Sequence, residues 1–489
     1  MSVGSAPRAR PRIAREQLGL VVPVYLLAFI ALLDVNVVVI ALPSMKSDLG
    51  MSNAAQQWVV SSYTLCLSAL ALSAGALGDR YGRRLVFLVG VVLFTAGSAV
   101  CAAATSSGLL VAGRFVQGAG AAIALPGSLS LIAQSFTDLE QRARVMAGWA
   151  TVVSVAGVTG PVLGGVLVDT FGWPSIFLVN LPLGVVALVL GSRSIPESSD
   201  PGHADLDLAG QALGIGWLGG LSYGLVNAGA HGWSAPATVV PIAAAVIGFV
   251  AFLVVELRQQ RPMLPIRMFA NLRFTAPNTV AFVFGFSGFT LTVFLPTFLQ
   301  DVQHHDAVRA GFMLLPVAVV GLFVPAVAAR WVARAGFCGP LVSGMLLLVA
   351  ALGLLLLVGP DSGYWLLAIL LALVGAAYGL TATPSNAAVM AAADRERTGT
   401  VAATINAIRQ TGTSLGVALL GTLLASQITH LDGRSFEQAY TDGLHLVAVV
   451  SATIAVAAAV LVLLTMRGDG AAQRPRPERA APAKASART

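Results

Sequence analysis

Asp79-Arg80-Tyr81-Gly82 sits between two long apolar runs, and Ala333-Arg334-Ala335-Gly336 sits between two more, 254 positions later. The second copy keeps the Arg and the Gly and has lost the acid. Other positions recur at nearly the same distance. Asp138…Glu140 returns as Asp394…Glu396, and Gly160 and Gly165 return as Gly416 and Gly421, each shifted by 256. Gly118…Pro126 resembles Gly375…Pro384 with a one-residue slip. Any single match between Gly/Ala-rich stretches carries little weight. Several at nearly one shift mark an internal duplication.

What is duplicated is apolar. The 489-residue chain is 56% hydrophobic and 10% charged, with a mean hydropathy of +0.82. Soluble domains carry about 25% charged residues, so this chain lacks the charge for a soluble surface. A membrane-crossing helix needs about 20 apolar residues. Fourteen runs satisfy this, starting near Leu18, Trp58, Leu85, Gly108, Val145 and Pro174, then Leu208 and Pro236, then Ala276, Ala310, Cys338, Gly363, Thr400 and Asp442. Spans one to six return as nine to fourteen; seven and eight are an insertion. The expected fold is an all-α polytopic membrane protein, two six-helix bundles plus two inserted helices. Residues 1–17 form an N-terminal tail, 18–191 the first bundle, 192–275 the linker with its two helices, 276–466 the second bundle, and 467–489 a Pro/Ala/Arg-rich tail expected to be disordered. Parallel halves of six helices are a transporter design with its substrate site at mid-membrane.

Arginine sets the orientation. With the N-terminus inside, the inner segments hold nearly all the arginines, and the outer loops hold only Lys46, Arg309 and Arg434. A miscounted span would scramble that alternation. The net charge of +7 therefore reports topology and points to no nucleic acid. The run after residue 17 is too long for a signal-peptide core and reads as a retained first helix. Cys66, Cys101 and Cys338 have no paired spacing and read as small buried hydrophobes. No metal site is expected.

Asp34 lies deep in the first span, within Leu33-Asp34-Val35-Asn36. Acids at that depth are costly and usually functional. Arg114 lies inside span four, and the helical rise places both charges at similar depth. The pair reads either as a proton switch or as a static tie between helices. As a switch it would work through two opposed effects: burial favours the neutral carboxyl and a nearby guanidinium the charged one. Asn36 is a candidate polar neighbour of Asp34. Arg409 is the other cation within a span; it would face anionic substrate groups or cap backbone carbonyls. Glu256 closes span eight beside Arg258 and Arg261, as a structural pair.

Gly75-Ala76-Leu77-Gly78-Asp79-Arg80-Tyr81-Gly82-Arg83-Arg84 resembles the signature loop of the major facilitator superfamily. Gly82 permits a tight turn. The resemblance implies an inner gate, with Asp79 docking on the N-terminus of span thirteen near residues 398–400 and Arg83 holding Asp138 or Glu140. The alternative is that a short inner loop merely collects arginines. Leu110, Arg114, Gln117, Gly118 and Gly120 resemble the signature of proton-coupled members. Gly157, Gly160, Pro161, Gly164 and Gly165 resemble the exporter signature; Gly160 and Gly164 also form a GxxxG packing face.

The likeness narrows further. Leu33-Asp34…Ala41-Leu42-Pro43, Trp173…Phe177…Asn180…Pro182…Gly184 and Asn406…Arg409-Gln410…Gly412…Gly416 resemble motifs of the fourteen-helix drug:proton antiporters. Asn36 and Val39 depart from that branch, which usually has Thr and Asn there. The resemblance implies proton-driven efflux of lipophilic small molecules across the cell membrane, with both termini cytoplasmic. It implies no cofactor beyond the coupling proton, and no partner beyond the lipid bilayer, the drug-like substrate and protons. Asn36, Gln117, Asn406, Arg409 and Gln410 are the substrate-cavity candidates. An exporter of an endogenous metabolite (sugar, amino acid or lipid precursor) and a non-transporting membrane sensor are the competing readings. No catalytic constellation is apparent, so an enzyme is not expected.

Overall fold

The structure, a computed structural model, describes residues 15–136, 138–198, 207–259, 262–392, 398–429 and 433–467. Among these the chain makes fourteen helical passages. They are α1 Arg15–Leu49, α2 Asn53–Tyr81, α3 Arg83–Ala102, α4 Ser107–Ser135 and α5 Leu139–Phe171. Next come α6 Ser175–Ser194, α7 Leu208–His231 and α8 Pro236–Arg258. The second half holds α9 Leu272–Val302 and α10 Ala307–Ala335, then α11 Cys338–Leu355, α12 Tyr364–Ala391, α13 Thr398–Thr429 and α14 Phe436–Met466.

Length and apolar content qualify 12 of these as membrane spans, or 13 with the bent α2 counted as one. The fourteenth passage, α7, is long enough at 24 residues. Its repeated glycines, with Gln211, Asn227 and His231, dilute its leucines. Polar caps fix where helices begin: Ser52, Ser106, Asp138, Asp207, Asp306 and Ser435 each accept from an amide in the following turn. α9 departs from a plain helix, with π-helical turns at Phe284–Phe289 and Phe298–Val302.

The packing repeats as the sequence does. In the first half α1 packs on α5 and α6, α4 on α2 and α3, and α3 on α6. In the second, α9 packs on α13 and α14, α12 on α10 and α11, and α11 on α14. Each pair maps onto its counterpart eight passages later. The inserted α7 bridges the halves, packing on α2 of one and α13 of the other. Gln211 Nε2 donates to the Ala69 carbonyl at 2.7 Å, and Thr422 Oγ1 donates to the Leu225 carbonyl at 2.7 Å. α8 packs mainly on α7 and exposes most of its surface.

The halves also meet at the arginine-poor end. Gln300 Nε2 donates to the Ile40 carbonyl at 3.0 Å, and the Val308 amide donates to Asp169 Oδ2 at 2.9 Å. A Cβ at Gly165 would strike the Ala307 carbonyl, and one at Gly311 the Pro161 carbonyl. Small residues set this contact because lipid gives apolar side chains no drive to associate, so close backbone packing does the work. The direct hydrogen bonds between the two six-helix halves, among the described residues, lie at this end.

Candidate functional site

Asp34 and Arg114 come together. Asp34 is 0% and Arg114 1% exposed, and Arg114 Nη1 pairs with Asp34 Oδ2. The guanidinium is held on other sides too. Its Nε donates to the Val59 carbonyl at 3.0 Å, its Nη1 to Gln117 Oε1 at 2.6 Å, and its plane lies 4.4 Å from the Tyr63 ring centroid. Tyr63 is fixed in turn by donating to the Ala31 carbonyl at 3.1 Å.

The second carboxylate oxygen, Oδ1, accepts from Gln117 Nε2 at 2.7 Å and from Asn180 Nδ2 at 3.1 Å. Both amides also reach Ser98 Oγ, at 2.9 and 3.3 Å. Five helices, α1, α2, α3, α4 and α6, thus supply one closed polar cluster. Removing one partner of such a pair strands a buried charge, at a cost of about 3–5 kcal/mol. The sequence reading missed Asn180, Ser98 and Tyr63 as members. The available signal was a mid-span amide, Asn180, in the stretch that resembles the sixth-span motif.

The cavity candidates divide. Gln117 belongs to the buried cluster and is 0% exposed. Asn36 is half-buried and does not partner Asp34; its Nδ2 donates to the Leu32 carbonyl at 2.7 Å, and its side chain lies against Gly160. The reason is periodicity: two residues turn a helix by roughly 200°, so Asn36 faces away from Asp34. In the second half Arg409 Nη2 donates to Asn406 Oδ1 at 2.6 Å, a third arrangement beside the anion and the carbonyls expected for it. Asn406 Nδ2 donates to the Ala402 carbonyl at 2.9 Å. Arg409, Asn406 and Gln410 are all half-buried on α13.

In the gate loop, Gly82 has φ +103° and ends α2, a left-handed conformation that favours glycine. The stretch expected as a loop is helical apart from Gly82, and Arg83, opening α3, pairs with Asp79 in the last turn of α2. It does not hold Asp138, which caps α5, or Glu140, which lies 4.0 Å from Arg144. Arg80 lies over the exposed Tyr81 ring, and Gly75 is exposed. Asp394 and Glu396, and the side chains of Thr398–Thr400 toward which Asp79 was expected to dock, lie outside the described residues. An unanticipated residue joins the loop: Glu197 accepts from the Arg84 and Leu85 amides at 3.2 and 3.3 Å. An acid at the positive N-terminus of α3 is favourable. Arg84 Nη2 donates to the Ser192 carbonyl, tying the loop to the end of α6.

The exporter-like stretch on α5 has two faces. Gly160 and Gly164 lie against Asn36 and Val37 of α1. Pro161 and Gly165 lie against Gly311 and Ala307 of α10, across the boundary between halves. A Cβ at Gly157 would meet nothing within 4 Å. Glu256 turns from the arginines beside it: its Oε2 accepts from the Leu264 amide at 3.0 Å, while Arg258 is exposed and Arg261 lies outside the described residues.

Comparison with known proteins agrees with this architecture. A family model for the Major Facilitator Superfamily matches residues 24–417. The methylenomycin A resistance protein of Bacillus subtilis (strain 168) is 38% identical over 409 residues, covering 83% of this chain and 87% of that protein. The multidrug resistance protein Stp of Mycobacterium tuberculosis (strain CDC 1551 / Oshkosh) is 34% identical over 430 residues, covering 88% and 80%. Among solved structures, a D-xylose-proton symporter superposes with a TM-score of 0.65 at 13% identity, covering 91% of this chain and 97% of that one; it supports the fold alone. With a family match over most of its length and relatives above 30% identity, the chain belongs to the major facilitator superfamily.

Proposed function

We propose that this protein exports lipophilic small molecules across the cell membrane in exchange for protons, by alternating access. Both termini face the cytoplasm, and the arginine-rich loops lie on that side. The observation that carries the reading is the Asp34 cluster: a lone carboxylate, closed off from water, held by one guanidinium and two amides. A static tie needs no ionisable group at that depth, whereas a proton carrier does. The relatives' names, resistance to methylenomycin A and to multiple drugs, support an outward direction and a drug-like cargo. The seal at the arginine-poor end supports reading the present arrangement as closed to the outside. Opening that seal, together with loosening of the first-half helices around Asp34, would let the carboxylate meet each side in turn.

Proteoliposomes with an imposed pH gradient test this. Drug-dependent proton movement in the wild type, absent in Asp34→Asn, is the expected result. Full drug efflux by Asp34→Asn would overturn proton coupling through this residue, and proton movement driven only by a sugar, amino acid or lipid precursor would overturn drug export.

A further inference from the structure

The inserted helices carry two acids that the Asp34 cluster does not use. Asp207 caps α7; its Oδ1 accepts from the Gly210 amide and from Gln259 Nε2, both at 2.6 Å. Glu256 closes α8; its Oε2 accepts from the Leu264 amide at 3.0 Å. Each carboxyl group therefore has one satisfied oxygen. The remaining two, Asp207 Oδ2 and Glu256 Oε1, are buried without a hydrogen-bond partner. They converge on one spot: a Cβ at Gly210 would lie 2.7 Å from Glu256 Oε1 and closer still to Asp207 Oδ2. Glu256 is only 2% exposed.

The surroundings offer these oxygens no cation among the described residues. The charged group that faces Glu256 is Asp207. Arg258 is exposed, and Arg267, on the turn after α8, donates to the Leu257 carbonyl instead. α2, packed on α7, brings only the neutral Ser73 and the Ala69 carbonyl, both bonded to Gln211. Two ionised carboxylates set this way repel, with little water to screen them. One proton between the orphan oxygens removes both faults, making one a donor and the other a charged acceptor.

We propose that Asp207 and Glu256 share a single proton and form a proton-binding site on the inserted hairpin, separate from Asp34. Gln211, one turn beyond Asp207, clamps α7 to α2 at Ala69 and Ser73, on both sides of the α2 bend, and the part beyond the bend, Ser73–Tyr81, carries Asp79 and Arg80 of the gate. Loss of the shared proton would push the first turn of α7 away from α8 and load that clamp. Proton availability beside the gate thereby reaches the gate helix without passing through the substrate route.

Infrared titration of the full-length protein in liposomes reads the site directly. The wild type should keep a neutral-carboxyl C=O band in neutral buffer. Asp34→Asn should retain that band, and Glu256→Gln should lose it, because the new amide supplies the missing donor. Asp207→Asn should lose it for the same reason and replaces Glu256→Gln if that variant does not accumulate. Thermal melting gives a second readout: the wild type should lose stability as the buffer turns alkaline, and Glu256→Gln should melt at a nearly constant temperature. A band absent from the wild type, or surviving in both hairpin variants, overturns the proposal. So does a melting temperature that follows added magnesium or calcium and ignores pH, which would make the pair a cation site.

Discussion

Asn180 of α6 donates to the same Asp34 oxygen that Gln117 of α4 reaches. The carboxylate is thus oriented by two neutral amides on one oxygen and by the Arg114 charge on the other. Partners of such different kinds can be separated by substitution.

Asp34→Asn keeps an oxygen for both amides but leaves Arg114 buried without a counter-charge. We expect it to melt lower, by about 3–5 kcal/mol, and to drive no drug efflux above empty liposomes. Adding Arg114→Gln should recover most of the melting temperature and none of the efflux. Efflux that returns with stability would reduce the pair to a tie between helices.

Asn180→Ala leaves Gln117 as the sole donor to Asp34 Oδ1. Losing a hydrogen bond to a buried charged group should cost about 1.5–3 kcal/mol. Melting curves in detergent would measure this, and an unchanged melting temperature would remove Asn180 from the cluster's support.

Gly311→Val places a side chain against the Pro161 carbonyl, where even a Cβ does not fit. The arginine-poor seal should open. A cysteine introduced at Ala307, which is 3% exposed within that seal, should react several-fold faster with a membrane-impermeant thiol reagent in this variant than in its parent. The native Cys66 and Cys101 are buried and Cys338 half-buried, so their background is low. Equal rates would show that the seal tolerates the bulk.

Glu197→Ala removes the acid that holds the first amides of α3. The loss should be about 1 kcal/mol, as for other helix caps, and Glu197→Gln should recover part of it. A melting temperature indifferent to both substitutions would show that water replaces the cap fully.

Asp34 and Arg114 were legible because each is a lone charge in an apolar run, and helix rise alone levels them. The repeat was legible because loops and glycines keep their spacing through duplication. Asn180 escaped because an amide carries no charge signal and nothing along α6 marks which of its residues faces Asp34. Arg83 was assigned to acids on the next inner loop, and it took Asp79, one helical turn away. Glu256 was assigned to arginines near it in sequence, yet its Oε2 takes the Leu264 amide and its Oε1 faces Asp207, which only the folding of α7 against α8 brings near. Contacts set by tertiary packing leave no periodic mark in the chain.

The bridge formed by α7 has a consequence for how cargo arrives. Two seams separate the halves, α2 against α13 and α5 against α10. α7 lies over the first, with Leu225 and Val226 packed beside Trp58 and Ala418, and nothing equivalent covers the second among the described residues. If the protein exports drugs as proposed, a compound dissolved in the lipid leaflet would find the first flank covered by the insertion and the second bare. The insertion breaks the two-fold likeness of the flanks, so partitioning from the bilayer would depend on which flank the molecule drifts against.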